Sequence, residues 1–235
     1  MDNTGSMAGA KINAMKSAAT ELVNILYGNR ETIPNFWIGV VPYVATVNVG
    51  SSRTGWLLAD NPSILYSQGG SWKGCVEARN PPYEEDQAEA LPSVQKWRRH
   101  YWASNKGKIY KNQQGTTFPP DNPWPPIVET TAAGNNATGP NLGCGPPITP
   151  LQSSKQVALN AIAAMGPWSR GGTMGNLGLA WGWRVLSPTE PFTGPLAAGH
   201  QASFYVLDQT DNTYKSRQAT LRLVSAPAFW DLHDR

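Results

Sequence analysis

The sequence predicts one α/β domain interrupted by a long irregular segment, and three observations predict it. Residues 8–28 carry apolar side chains at helical spacing. Residues 36–41, Phe-Trp-Ile-Gly-Val-Val, form a continuous apolar run of strand length. Further helical and strand patterns return only after residue 150. A helix followed by a strand covered on both faces is how an α/β pattern begins. At 235 residues the chain is long enough to bury one good core. We therefore read 1–235 as a single domain and 50–150 as an insertion within it.

Composition narrows the class. Ten Trp argue against disorder throughout, and 20 Pro with 23 Gly argue against long helical arrays. A net charge of +3 is too small to imply a nucleic-acid partner. No apolar run approaches the roughly 20 residues of a membrane span. The polar first residues do not read as a secretory leader.

The first element is the turn Asp2-Asn3-Thr4-Gly5-Ser6-Met7. In an extended loop, positions two apart point the same way, so Asp2, Thr4 and Ser6 are expected to converge. One carboxylate and two hydroxyls suit Mg²⁺ or Mn²⁺, which take hard oxygen ligands. The same residue types are also ordinary turn formers. In the helix of residues 8–28 the expected buried face is Ile12, Met15, Ala19, Leu22, Val23 and Leu26, and Gly28 stops it. This helix would place the positive end of its dipole at the turn, which favours carboxylates. Residues 36–49 read as a strand and its continuation, ended or kinked at Pro42.

Residues 50–150 are rich in Pro, Gly, Asn and aromatics and show little periodicity. Such a segment reads as an elaboration on a surface. Within it, residues 96–111 form a basic, aromatic stretch that would stack on sugars or bases, meet an anionic partner, or pack its Trp residues back onto the domain. Residues 117–126 are Pro-dense and expected to be extended. Cys75 and Cys144 lie within this region and flank a long irregular stretch of it. They read either as a disulfide clasp, which stabilises by roughly 4 kcal/mol and needs an oxidising compartment, or as two unrelated thiols.

Ser153-Ser154-Lys155-Gln156 fits a capping box, and the helix after it ends at Gly166-Pro167. Gly171-Gly172-Thr173 is a flexible turn presenting one hydroxyl. A second helix runs over 174–186 until Pro188. Residues 202–207 read as a strand, followed by the polar turn 208–212. The tail, 213–235, reads as helical at its start. The three histidines, His100, His200 and His233, lie in unrelated loop or tail contexts and are expected to be solvated.

In this order the residues resemble the von Willebrand factor A domain with its metal-ion-dependent adhesion site. More narrowly, they are similar to bacterial Flp/Tad pilus-assembly proteins of the TadE/TadG-like type. The motifs are the Asp2–Met7 turn, Val40-Val41-Pro42-Tyr43 with Val47-Asn48-Val49-Gly50, and Trp72-Lys73-Gly74-Cys75-Val76-Glu77-Ala78-Arg79. Gly143-Cys144 before Pro147-Ile148-Thr149-Pro150-Leu151 continues them. The most specific is Gly171-Gly172-Thr173 leading into Gly178-Leu179-Ala180-Trp181-Gly182-Trp183-Arg184-Val185-Leu186-Ser187-Pro188.

The resemblance implies a von Willebrand A-like, doubly wound sheet with helices on both faces. It implies an ion at the C-terminal ends of the strands, where open α/β sheets bind ligands. Asp2, Thr4 and Ser6 would be the first ligand cluster, and Thr173 would supply a second-loop hydroxyl. An open coordination position would accept a carboxylate from a partner protein, a pilus or envelope component. The family's domains lie outside the cytoplasmic membrane, periplasmic or at the cell surface, held by an N-terminal membrane helix, which agrees with a Cys75–Cys144 disulfide. In the family a buried strand precedes the turn. Here the sequence starts at the turn, so the first strand is expected to be missing and the α-amino group to lie near the cation. Alignment on Asn212-Thr213-Tyr214 puts Gln209 at the family's last Asp ligand, with Asp208 one residue away. A neutral Gln209 would weaken divalent binding.

The sequence holds no Gly-x-Ser-x-Gly elbow, His-Glu-x-x-His helix or phosphate loop. The leading reading is therefore a non-enzymatic binding module that uses Mg²⁺ or Mn²⁺. The alternative is a structural module with a degenerate metal site, binding through its clasped insertion by Trp97, Trp102 and Trp124.

Overall fold

A computed structural model describes residues 1–61, 65–66, 70–81, 83, 95–129, 138–168, 172–187, 191–192 and 195, and the backbone alone of 201–208 and 215–222. It is a mixed α/β structure built from helices and small antiparallel sheets. The helices are α1 (Ala10–Tyr27), α2 (Lys155–Ala163) and α3 (Gly175–Leu186). The strands are β1 (Ile38–Val40), β2 (Val47–Asn48), β3 (Cys75–Val76), β4 (Tyr110–Lys111), β5 (Thr117–Phe118), β6 (Thr149–Gln152), β7 (Gln201–Asp208) and β8 (Lys215–Arg222). Four antiparallel pairs form among the described residues: β1–β6, β2–β3, β4–β5 and β7–β8. Parallel pairing there is confined to single bridges, including Asp2 with Tyr43 and Thr4 with Trp168.

Helices cover both sides of the β1–β6 ribbon. Strand side chains alternate between faces. Ile38 and Val40 join Ile12, Met15, Val23 of α1 and Ala158, Ile162 of α2 in one apolar cluster. Val41 and Leu151 belong to a second cluster with Leu177, Trp181 and Val185 of α3. The close fit of α3 explains two small residues. A Cβ on Gly39 would meet Val185, and one on Gly178 would strike the Tyr43 ring.

The face of α1 differs at its C-terminal end from the one its periodicity suggests. Leu26 is exposed and Tyr27 is buried in its place. Tyr27 donates its hydroxyl hydrogen to Ser153 O (2.9 Å) and packs edge-on against Phe36. A ring with a polar tip uses that position better than an aliphatic chain, because the carbonyl there needs a donor. Gly28, at φ +57°, stops the helix as expected, its N–H donating to Asn24 O.

Helix α2 is capped by Ser154, one residue beyond the Ser153 start of the expected capping box. Ser154 Oγ accepts from Val157 N. Glu31, from the loop after α1, completes that terminus. Its carboxylate accepts from Ser154 Oγ and from Gln156 N. These two bonds, with the Lys155 charge, hold its pKa below the ordinary carboxylate value. A group with a depressed folded-state pKa stabilises above its unfolded value and loses that contribution as pH falls through the folded one. Glu31→Gln should therefore be less stable than the parent at neutral pH. The gap between the two melting curves should close on acidification below the carboxylate range; a gap independent of pH would refute the assignment.

The insertion does more than decorate a surface. Leu57, Trp72, Val76 and Trp97 sit in the same buried cluster as Trp181. Burying large rings is the strongest apolar contribution a chain makes, and it draws this irregular segment inward. The disulfide between Cys75 and Cys144 closes a 69-residue span of the segment. His100 is buried, against expectation, with Nε2 2.9 Å from Leu142 O and Nδ1 3.6 Å from Glu77. His200 and His233 lie outside the described residues. The tail contains β8, paired with β7, in place of the expected helical start. A short helix is marginal by itself, whereas β8 pairs with β7 along eight residues.

Candidate functional site

Residues 1–4 run between two neighbours. On one side Asn3 N donates to Tyr43 O (2.9 Å) and Tyr43 N donates to Met1 O (3.1 Å). On the other, Trp168 N donates to Asn3 O (2.6 Å). Asn3 is fully buried, and its side chain ties the segment further: Oδ1 accepts from Gly166 N and Nδ2 donates to Met1 O. Sequence reasoning missed Asn3. Its signal was a polar residue set between two presumed ligands, where alternation turns its side chain away from them. The α-amino group of Met1 donates to Val41 O at 2.8 Å, so its hydrogen-bonding is directed at the strand end.

Of the three expected ligands, the Thr4 and Ser6 hydroxyls meet, while the Asp2 carboxylate bonds to the Thr4 backbone. Asp2 and Thr4 are buried, and Asp2 Oδ1 accepts from Thr4 N at 2.7 Å. After Thr4 the chain enters a 3-10 turn, Gly5–Met7. That turn returns Met7 N to Thr4 O, and the Thr4 and Ser6 hydroxyl oxygens stand 2.9 Å apart. Ser6 is exposed and Thr4 is buried, so the contact joins the surface to the interior.

One carboxylate and two hydroxyls are donors of the type a small hard cation takes, and the 2.9 Å between the Thr4 and Ser6 oxygens is that of their shared hydrogen bond. Asp2 supplies the single negative charge of the group. Among the described residues there is no cluster of three or more His, Cys, Asp or Glu able to hold a metal. Any ion at this turn would therefore rest largely on hydroxyls.

Thr173 is exposed in the loop before α3. That loop is anchored where it matters: Met174 N donates to Val44 O at 3.0 Å, one residue beyond the Tyr43 that pairs with Asp2 and Asn3. The described hydrogen bonds of Asp2, Thr4 and Ser6 do not include Thr173. Asp208 is the last residue of β7, its backbone in register with Lys215, so the strand runs one residue beyond the expected 202–207. Gln209 and Gly171 lie outside the described residues.

Asn48 is a second residue that the sequence hid. Its Nδ2 donates to Gly145 O (2.8 Å), its Oδ1 accepts from Gly50 N, and its backbone O accepts from Ile148 N. It is also the register partner of Cys75. Asn48 thus holds both sides of the disulfide. The clue available was an Asn between two valines in a strand, where Asn is normally depleted.

No protein-family model, curated protein or solved structure matches the chain.

Proposed function

We propose that this chain is a von Willebrand A-like, non-enzymatic binding module of the TadE/TadG-like pilus-assembly type. It works outside the cytoplasmic membrane, at the periplasmic or outer face, held by the membrane helix that such proteins carry. Asp2, Thr4 and Ser6, with Thr173 and Asp208, hold Mg²⁺ or Mn²⁺. When bound, the ion supplies positive charge and an open position for a carboxylate of a partner protein from the pilus or envelope.

The observation that carries this reading is the Thr4–Ser6 hydroxyl pair close in sequence to the buried Asp2 carboxylate, on a segment that forms parallel bridges with Tyr43 and Trp168. The doubly wound sheet of this reading rests on the sequence resemblance; the described strands pair as two-stranded antiparallel ribbons, with helices on both sides of β1–β6. The sequestered disulfide supports an oxidising location.

Thermal unfolding in Mg²⁺, Mn²⁺ or EDTA tests the site. A ligand at about 100 times its dissociation constant stabilises by roughly 2.7 kcal/mol. The parent should melt higher in Mg²⁺ than in EDTA. Ser6→Ala and Thr173→Ala, both at exposed positions, should keep the EDTA melting point and lose most of the Mg²⁺ increment. Equal melting of the parent in Mg²⁺, Mn²⁺ and EDTA would sink the proposal.

A further inference from the structure

An open groove of about 1050 Å³ runs between residues 102–105 and the β4–β5 ribbon. Three aromatic rings line it. Trp102 is half-buried on one wall, and Tyr110 and Phe118, 45% and 47% exposed, stand on the ribbon. Tyr110 and Phe118 are register partners, so their rings lie side by side on one face. Lys108, Lys111 and Asn112 line the same groove. Trp97 and Trp124 are buried and unavailable to a partner.

The groove's charge is unbalanced. Lys108 and Lys111 line it and form no ion pair among the described residues. Its one carboxylate, Asp121, accepts from Asn105 Nδ2. Asn112 Oδ1 accepts from Gln114 N and Thr116 N, which leaves its NH₂ as a donor. Exposed rings in a concave site with a few polar groups form a ligand platform.

We propose that this groove binds an acidic polysaccharide. Pyranose C–H faces lie on Trp102, Tyr110 and Phe118, carboxylates pair with Lys108 and Lys111, and a hydroxyl accepts from Asn112. A membrane surface fits less well. The ribbon's tip is Asn112-Gln113-Gln114-Gly115-Thr116 and offers no apolar residue to insert. Single-stranded nucleic acid also stacks on rings, but its phosphate at every nucleotide needs a longer cationic track than two lysines. The site is separate from the Asp2 turn, so the proposal stands or falls independently of the metal reading.

Calorimetric titration of the full chain in EDTA at low salt tests it. The probes are hexagalacturonate and hexaguluronate, with maltohexaose, hexathymidylate and phosphatidylglycerol vesicles as comparisons. At least one uronate should bind and maltohexaose should not. Tyr110→Ala with Phe118→Ala should weaken uronate binding by about tenfold or more. Lys108→Gln with Lys111→Gln should weaken it and flatten its salt dependence. The proposal is overturned by equal binding of maltohexaose, by binding of the oligonucleotide or vesicles alone, by no uronate binding, or by uronate affinity that both double variants leave unchanged.

Discussion

Replacing Cys75 and Cys144 together by alanine should lower the unfolding free energy by about 4 kcal/mol, read from urea denaturation of the oxidised parent and the variant. The magnitude follows from the separation of 69 residues between the two cysteines, which the bond removes from the freedom of the unfolded chain. In the folded state both ends already rest on Asn48 through the β2–β3 pairing and the Nδ2 bond to Gly145 O. The variant should therefore keep its fold and its near-ultraviolet spectrum while melting lower. Cys75 is fully buried and Cys144 is 6% exposed, so reductant should act on the parent only under conditions that unfold it. A stability loss under about 1 kcal/mol would mean that the unfolded chain is already restrained near these residues.

Trp181→Ala is expected to cost about 3–5 kcal/mol, the range for deleting a fully buried large ring. Trp181 has no exposed surface, and it is the centre of an aromatic cluster. Trp97 lies 4.9 Å away, Phe192 6.1 Å and Trp56 6.3 Å, the last nearly parallel to it. The Arg184 guanidinium sits 5.1 Å over Trp181 and 5.5 Å over Trp97, and Arg79 sits 4.7 Å over Trp97. Burial, then the like charge of Arg79, pushes the Arg184 pKa down. The rings thus offset part of the cost of desolvating two cations, and removing Trp181 withdraws that support as well as packing. Trp181→Phe, which keeps an aromatic face, should lose distinctly less than Trp181→Ala. Equal losses would show that volume alone matters at this position, and a small loss for both would contradict the packing described.

Both effects depend on contacts between residues far apart in the sequence, which is where local reading stops. The Asp2 turn, α1, the strand at 38–40 and α3 are set by neighbours within a few positions: helical spacing of Ile12, Met15, Ala19 and Val23, the stop at Gly28, the apolar run before Pro42, and Leu177, Trp181 and Val185 on one face. Local physics governs there: the helices form where the spacing puts them, and the strand expected over 36–49 forms as β1 and β2 with a break after Val40. The meeting of the Thr4 and Ser6 hydroxyls was legible too, although it comes where the chain enters a 3-10 turn and not in an extended loop.

The remainder was decided by tertiary structure. Nothing in residues 50–150 announces periodicity, because Leu57, Trp72 and Trp97 are placed by the ring surface of α3 and not by a local repeat. Tyr27 displaces Leu26 from the buried face because a distant carbonyl, Ser153 O, needs a donor. His100 is drawn inside by Leu142 O, and β8 forms because β7 offers it a pairing edge. By itself the sequence determined the mixed α/β class, the elements whose order rests on short-range spacing, and the oxygen-rich turn at the first helix. Only the tertiary structure decided which irregular residues become core, because burial and hydrogen-bond satisfaction are settled by partners that sequence distance does not reveal.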